Sequence, residues 1–266
     1  MNKFLALTDD GLRDSEGADL ILWPETAFPS TVTQPSSSHL QNRLEYFVEA
    51  LGTPLMTGAY VQSRKLRKTY NSMVLFGPDG KIIDHYHKTH LLAFGEYFPG
   101  AEYVPKLKVW FPMVSDFGRG NGAKILSLGD LKLGAQICYE SLFDSFSSQL
   151  YDLGAQVIVN VTNDSWYGTT FEPYQHLYMT LARAIEFRVP MVRATNTGIS
   201  TAISASGKIH DFSPLQEEWS GIFKVNYKKQ PEPTLYSYYA GQWHWILLFF
   251  CVLVLLGDKL AKSRKS

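Results

Sequence analysis

The 266 residues carry 25 Lys and Arg against 25 Asp and Glu, a formal net charge of zero at pH 7. No field of one sign is available to gather a nucleic acid or a strongly acidic substrate, and the length fits one sizeable core with an appendage. The two cysteines, Cys138 and Cys251, stand in unrelated contexts, so free thiols are expected and not a disulfide framework.

In chain order, Met1 to Leu7 holds too short an apolar run for a signal peptide. Residues 11–19 read as the end of a helix leading into a strand over Leu20–Trp23, and residues 30–38, rich in Ser, Thr, Gln and Pro, read as a loop. Leu40, Leu44, Phe47, Val48 and Leu51 recur at helical spacing. Strands are predicted over Leu55–Val61, Tyr70–Phe76 and Lys81–His87, the last two joined by the turn Gly77-Pro78-Asp79-Gly80. Residues 89–122 have no clean period and are crowded with aromatics. Strands resume over Lys124–Leu128 and Lys132–Ile137, around a Gly129-Asp130 turn. A helix over Leu142–Leu153, a buried strand over Gln156–Thr162 and a helix over Pro173–Arg188 follow. The remaining strands are Met191–Thr195, Ile199–Ser204, Lys208–Phe212 and Gly221–Tyr227. This interleaving predicts an α/β domain with a largely buried sheet over residues 1–227.

Residues 228–237, with Pro231 and Pro233, read as a linker. Trp245 to Leu256 is unbroken apolar sequence, with Tyr236, Tyr238, Tyr239 and Trp243 before it and Lys259, Lys262, Arg264 and Lys265 after it. Aromatics at one end and cations at the other are the flanks of a membrane span. A transmembrane helix over 238–260 is the expectation, with 261–266 as a basic tail; it reaches the usual ~20 residues by taking in Gln242, His244, Asp258 and Lys259. A buried or surface-lying amphipathic helix is the alternative. The basic end of a span would face the cytoplasm and leave the globular part outside.

Three predicted strands end on groups that can do chemistry: Glu25 after Trp23-Pro24, Lys88 after His87, and Cys138 after Ile137. If the strands lie side by side, a base, a cation and a nucleophile meet at one sheet edge, enough for covalent acyl transfer without a metal. Each has a plainer reading: a free cysteine is most often a small core residue, Glu25 could cap a helix, and Lys88 could be a solvated strand end. Two prolines and two aromatics around Glu25 point to a rigid, partly dehydrated setting that raises its pKa and suits it as a base. Tyr139-Glu140 breaks the apolar run, so the thiol is expected where the chain turns toward the surface. His85 and His87 share a strand face near His90, but no cysteine or carboxylate pair completes a metal set. A dyad of Cys138 with His176 is another conventional arrangement.

Trp23-Pro24-Glu25-Thr26-Ala27-Phe28-Pro29, Tyr86-His87-Lys88-Thr89-His90-Leu91 leading to Gly95-Glu96-Tyr97-Phe98-Pro99, and Ile137-Cys138-Tyr139-Glu140 occur in that order. Asn163-Asp164-Ser165-Trp166-Tyr167-Gly168, Arg183-Ala184-Ile185-Glu186 and Arg193-Ala194-Thr195-Asn196-Thr197-Gly198-Ile199-Ser200 follow. Over roughly residues 15–227 this series resembles the nitrilase (carbon–nitrogen hydrolase) superfamily, and within it most closely the bacterial apolipoprotein N-acyltransferase family. The resemblance implies an αββα sandwich with Glu25 as base, Lys88 as cation and Cys138 as nucleophile. It makes Glu96 and Glu140 supporting acids, with Tyr139 and Trp166 lining the site. It also implies transfer of an acyl chain from a phospholipid, through a thioester, to the N-terminal amine of a lipidated apolipoprotein. No cofactor, metal or nucleic acid takes part, and the work is done at the bacterial inner membrane with the catalytic domain on the periplasmic side. The aromatic residues of 91–113 would then dip into lipid; a core plug or a subunit contact is the plainer reading.

The sequence departs from that family in two ways. No run of membrane helices stands ahead of the domain, and the match begins in the helix before Trp23, so the domain's first strand is expected to be missing. A fragment of a longer product or a truncated relative is expected. A nitrilase-type amidase acting on a small amide is the second functional reading, and an inactive remnant the third.

Overall fold

A computed structural model describes residues 1–13, 15–63, 65–165, 168 and 170–263 of the chain, with 258–263 described by their backbone. Helix α1 (Asn2–Arg13) comes first, then β1 (Ile21–Leu22), β2 (Thr31–Val32) and α2 (His39–Leu51). The long strands β3 (Leu55–Ser63), β4 (Lys68–Phe76) and β5 (Ile82–His87) follow. They form one sheet in the order β1-β3-β4-β5, with β2 also paired to β3. Side chains alternate across it, as the pleat requires. Val74 and Phe76 of β4 pack on Leu44 and Val48 of α2 and on Leu5 of α1, whereas Met73 and Leu75 face the other way. Trp23, just after β1, is held under α1 by a bond from its Nε1 to Thr8 Oγ1 at 2.9 Å.

Helix α3 (Lys106–Trp110) lies in the aromatic segment, and β6 (Ile125–Leu128) and β7 (Leu131–Ile137) follow it. A short 3-10 helix (Cys138–Leu142) leads into α4 (Asp144–Asp152), β8 (Val157–Thr162) and α5 (Glu172–Phe187). Strands β9 (Met191–Thr195), β10 (Thr201–Ile203) and β11 (Ile209–Phe212) complete a second sheet, ordered β11-β10-β9-β8-β7-β6. Its central strands β7, β8 and β9 are parallel. Every residue of β8 is buried, as expected of a parallel strand covered on both faces. Met56, Met73, Leu75 and Tyr86 of the first sheet share one core with Leu133, Ala135 and Ile137 of the second. Helices α4 and α5 cover the second sheet's outer face through Phe146, Leu150, Leu177 and Phe187. The layers are therefore helix, sheet, sheet, helix.

Several expectations need correction. The first helix ends at Arg13, not 19, and two residues of the predicted loop 30–38 pair as β2. Residues 221–227 form no strand, because no described segment offers them a ladder. The predicted span is divided: α6 (Leu235–Tyr238) is followed by a turn with Gly241 at a φ of 76°, and α7 (Trp243–Ser263) starts afresh. Among the described residues no helix is long and apolar enough to cross a membrane. The linker is docked on the domain: Tyr236 Oη donates to Asp144 Oδ2 at 2.8 Å, and Gln156 Nε2 donates to Lys229 O at 3.2 Å.

The core makes a direct stability prediction. Phe187 is fully buried between α5 and the second sheet, with Tyr151 and Tyr236 against its ring. Phe187→Ala should cost about 3–5 kcal/mol, read as a lower midpoint in urea unfolding.

Candidate active site

Each element ends where its reactive side chain is needed. Glu25 follows β1 and is 5% exposed; Lys88 follows β5 and is 2% exposed. Cys138 follows β7 with a φ of 57°, in the left-handed region that non-glycine residues seldom occupy. The three strands are not side by side. β1 and β5 belong to the first sheet with β3 and β4 between them, and β7 belongs to the second. The three residues converge across the gap between the sheets and not along one edge.

Alternation on β5 and β4 sets the convergence. Lys88 continues the face of Tyr86, pointing between the sheets, and Asn71 of β4 lies on that same face. Lys88 N donates to Asn71 O at 2.8 Å. Asn71 Nδ2 donates to Glu25 Oε1 at 2.6 Å and to Glu96 Oε1 at 2.8 Å. Lys88 Nζ lies 3.4 Å from Glu25 Oε1 and 2.9 Å from Glu96 Oε2. Glu96 is also fixed by Leu92 N at 2.8 Å, and the Lys88 ammonium sits 5.4 Å from the centre of the Tyr139 ring. Asn196, just after β9, donates to Glu25 O at 2.7 Å and so ties the second sheet to the Glu25 turn. On β3, Gly58 is the close approach: a Cβ there would stand 2.5 Å from Glu25 Cα and from Thr26 N.

Burial dominates the electrostatics. It is the largest cause of a raised Glu25 pKa, outweighing the lowering by the Lys88 ammonium and the Asn71 bond. The prolines and aromatics around Glu25 therefore sit in the dehydrated setting the sequence implies. Burial also pushes the Cys138 thiol up to about 12, with the Glu25 charge adding to it. Lys88, the Thr162 hydroxyl and the Tyr139 N–H pull in the other direction. For Lys88 burial favours the neutral amine, but Glu25, the Cys138 sulfur when ionised, and Glu96 outweigh it and hold the pKa above the ordinary lysine value. The set is a firmly protonated lysine, a thiol whose proton is held tightly and a carboxyl whose affinity for a proton is raised.

Glu140 does not mark a turn to the surface; it is fully buried. Its Oε1 accepts from Tyr86 Oη at 2.7 Å, Thr89 N at 2.7 Å and His90 N at 2.9 Å, and its Oε2 accepts from Ile137 N at 2.8 Å. The carboxyl thus staples the backbone beside Lys88 to the backbone beside Cys138. Burial raises its pKa to about 7 even against these four donors.

The histidines are accounted for elsewhere. His85 and His87 do share a face, ring centres 4.6 Å apart, but His87 stacks on Tyr70 and its Nδ1 is 2.7 Å from Ser72 Oγ. His90 stacks on Phe143. Among the described residues no group of three or more His, Cys, Asp and Glu is placed to hold a metal ion. His176 Nδ1 lies 3.1 Å from Asp164 Oδ1 and 3.0 Å from Arg193 Nη2, in a buried cluster behind the 3-10 helix. Trp166 lies outside the described residues. Sequence reasoning missed Asn71 and Asn160, each a lone amide in an apolar strand. A buried amide needs partners, and that was the available signal.

Beside the Lys88 strand the aromatic segment forms a stack of Phe94, Phe98 and Phe111. Its outer side leaves Val109, Trp110 and Met113 at 76%, 65% and 89% exposure, an apolar surface that water alone does not explain.

Two facing sheets with helices on both outer sides, carrying a cysteine, a lysine and a glutamate at their converging ends, define the class: a nitrilase-type αββα protein. The family model for carbon–nitrogen hydrolase matches residues 3–226, and the chain belongs to that family. It is 45% identical over 99% of its length to an apolipoprotein N-acyltransferase of Bdellovibrio bacteriovorus, covering 50% of that relative. It is 32% identical over 94% of its length to one of Geobacter metallireducens, covering 47% of it. The chain thus spans about half the length of the curated relatives it matches. An amidase from Nesterenkonia sp. has the same fold, with a TM-score of 0.59 at 21% identity, over 80% of this chain and 81% of the amidase.

Two outcomes follow from this geometry. Gly58→Ala, which forces the Glu25 turn to move, should slow iodoacetamide capture of Cys138 at least about tenfold, since a displacement near 1 Å is enough to cost that much. For pH, Glu25 accepts a proton only when ionised, and its raised pKa moves that ionisation upward. Cys138 alkylation should therefore fall away as pH drops through a midpoint above 4.5, the ordinary carboxylate value. A midpoint at or below 4.5, followed by mass spectrometry, would contradict this assignment of the base.

Proposed function

We propose that this chain is the catalytic part of an N-acyltransferase. It takes an acyl chain from a phospholipid, holds it as a thioester on Cys138 and passes it to the N-terminal amine of a diacylglyceryl-cysteine lipoprotein. The observation that carries the reading is the left-handed Cys138 set against a buried carboxylate and ammonium, Glu25 and Lys88. The substrate class is supported by the identity to two apolipoprotein N-acyltransferases and by the exposed apolar surface around α3. The setting proposed for the intact protein is the bacterial inner membrane, with this domain on the periplasmic side.

In the first half-reaction Glu25 removes the Sγ proton as sulfur attacks the ester carbonyl, so no free thiolate need accumulate from a thiol at about 12. The carbonyl oxygen becomes an oxyanion, stabilised by the Lys88 ammonium and a backbone N–H at the 3-10 helix start. The ester C–O bond then breaks, and Glu25 returns its proton to the departing lysophospholipid hydroxyl. In the second half-reaction the amine attacks the thioester, Glu25 takes a proton from nitrogen, and as the C–S bond breaks Glu25 returns that proton to Cys138 Sγ. Glu96 holds Lys88 through the ion pair at 2.9 Å, and Tyr139 walls the ammonium. Glu140 keeps the two strand ends together. No cofactor takes part. The same groups could hydrolyse a small amide, the second reading favoured by the shared amidase fold; the apolar surface around α3 is what such an enzyme would not need.

The test is to incubate the detergent-solubilised chain with phosphatidylethanolamine and weigh it intact. One acyl chain should appear and be absent in Cys138→Ala, and Lys88→Met should slow its appearance about 10²–10³-fold, the usual cost of losing an oxyanion donor. Turnover of a small amide without any lipid adduct would favour the amidase. Neither reaction from folded protein would leave an inactive remnant.

A further inference from the structure

The carbonyl of Cys138 is held from below by a chain of buried polar groups that the acyl-transfer reading does not use. Asn160, on β8 and fully buried, donates from Nδ2 to Cys138 O at 3.0 Å. Its Oδ1 accepts from Arg193 Nη1 at 2.7 Å. Asn160 and Arg193 are register partners in the parallel β8–β9 ladder, so the backbone pairing fixes their approach. Arg193 is 1% exposed, and its Nη2 is neutralised by Asp164 Oδ2 at 3.0 Å. Asp164 Oδ1 in turn meets His176 Nδ1.

An asparagine amide can be turned either way, but here one orientation is forced. A guanidinium only donates, so Arg193 requires the amide oxygen on its side and leaves the NH₂ facing Cys138 O. The donor arrives where it is needed. Cys138 sits at a φ of 57°, a conformation that is costly for a non-glycine residue and persists only where its surroundings hold it. Its carbonyl accepts from Asn160 Nδ2 and from Ser141 Oγ at 3.2 Å, and the His176 ring also lies against it; of these Asn160 is the one fixed by the strand ladder of the second sheet.

We propose that Asn160, its amide oriented by Arg193, is a positioning residue for Cys138: it locks the left-handed backbone that holds the sulfur against Glu25 and Lys88. The proposal rests on Cys138 being the reactive thiol, the core of the functional reading above, but not on the identity of the acyl donor or acceptor. Ion-pair burial alone would make Arg193 and Asp164 structural. The amide between them and the nucleophile gives the network a route to reactivity.

The experiment uses iodoacetamide capture of Cys138 in the full chain, read by intact mass across pH, so lipid and acceptor are not needed. Asn160→Asp keeps the size and the partner for Arg193 but turns a carboxylate oxygen toward Cys138 O. Its plateau rate should drop at least about tenfold, with the pH midpoint displaced. Asn160→Ala removes the donor without adding charge and should slow capture by a smaller factor; it decides the matter if Asn160→Asp does not fold. Ser147→Ala, which removes a buried polar contact to Gln136 on the same sheet but touches none of Cys138, Ser141, Asn160 or Arg193, should keep the wild-type profile. A purely structural role would lower the melting temperature of the Asn160 variants while their folded fraction kept the wild-type rate and pH midpoint, and that result would overturn the proposal. If capture behaves as expected but no lipid adduct ever forms, the positioning role stands and the acyltransfer reading falls.

Discussion

A lysine ammonium buried between two sheets is the constraint around which the rest of the site is arranged. Removing an ammonium from water costs several kcal/mol after relaxation, and Lys88 is 2% exposed. Two carboxylates are in contact with it, Glu25 and Glu96, and Asn71 bridges both of them. Removing either acid would leave a charge without its compensation, so the catalytic grouping and the folding of this corner are one problem. The thiol completes the arrangement only when it ionises, since its negative charge then adds to the carboxylates facing Lys88. A charge developing on sulfur or on a carbonyl oxygen therefore meets a cation already in place.

The two sheets could slide against each other if only apolar contacts joined them. Polar ties at the reactive end prevent that. Glu140 links the segment after β5 to the end of β7, and Asn196 links the segment after β9 to the Glu25 turn. Both use side chains that reach backbone groups, which fixes the main chain from which the reactive residues project. The apolar core supplies cohesion, and these few bonds supply register.

Much of this was legible in sequence because period and punctuation carry the strands. Leu55–Val61, Tyr70–Phe76 and Met191–Thr195 all form ladders, and Leu40 to Leu51 forms a helix with Leu44 and Val48 inward. Strand order was not legible, because pairing depends on contacts far apart in the chain; Glu25, Lys88 and Cys138 meet across two sheets, not along one. The burial of Glu140 was missed for a related reason. A glutamate after a strand looks solvated until four donors from two segments are seen to converge on it. In the tail the helix boundary was not legible: the apolar run predicts one segment over 238–260, whereas a turn at Tyr239–Gln242 separates α6 from α7. Asn160 was hidden inside an apolar run whose burial demanded a partner that only the fold reveals.

The resting state of Cys138 has a consequence for how long the thiol lasts. Oxidants and electrophiles react with thiolates far faster than with thiols. A sulfur whose proton is held to about 12 offers little thiolate to passing peroxide. The burial that makes the nucleophile weak at rest also makes it chemically durable, so a lone cysteine can remain in service without a disulfide partner or a repair system beside it.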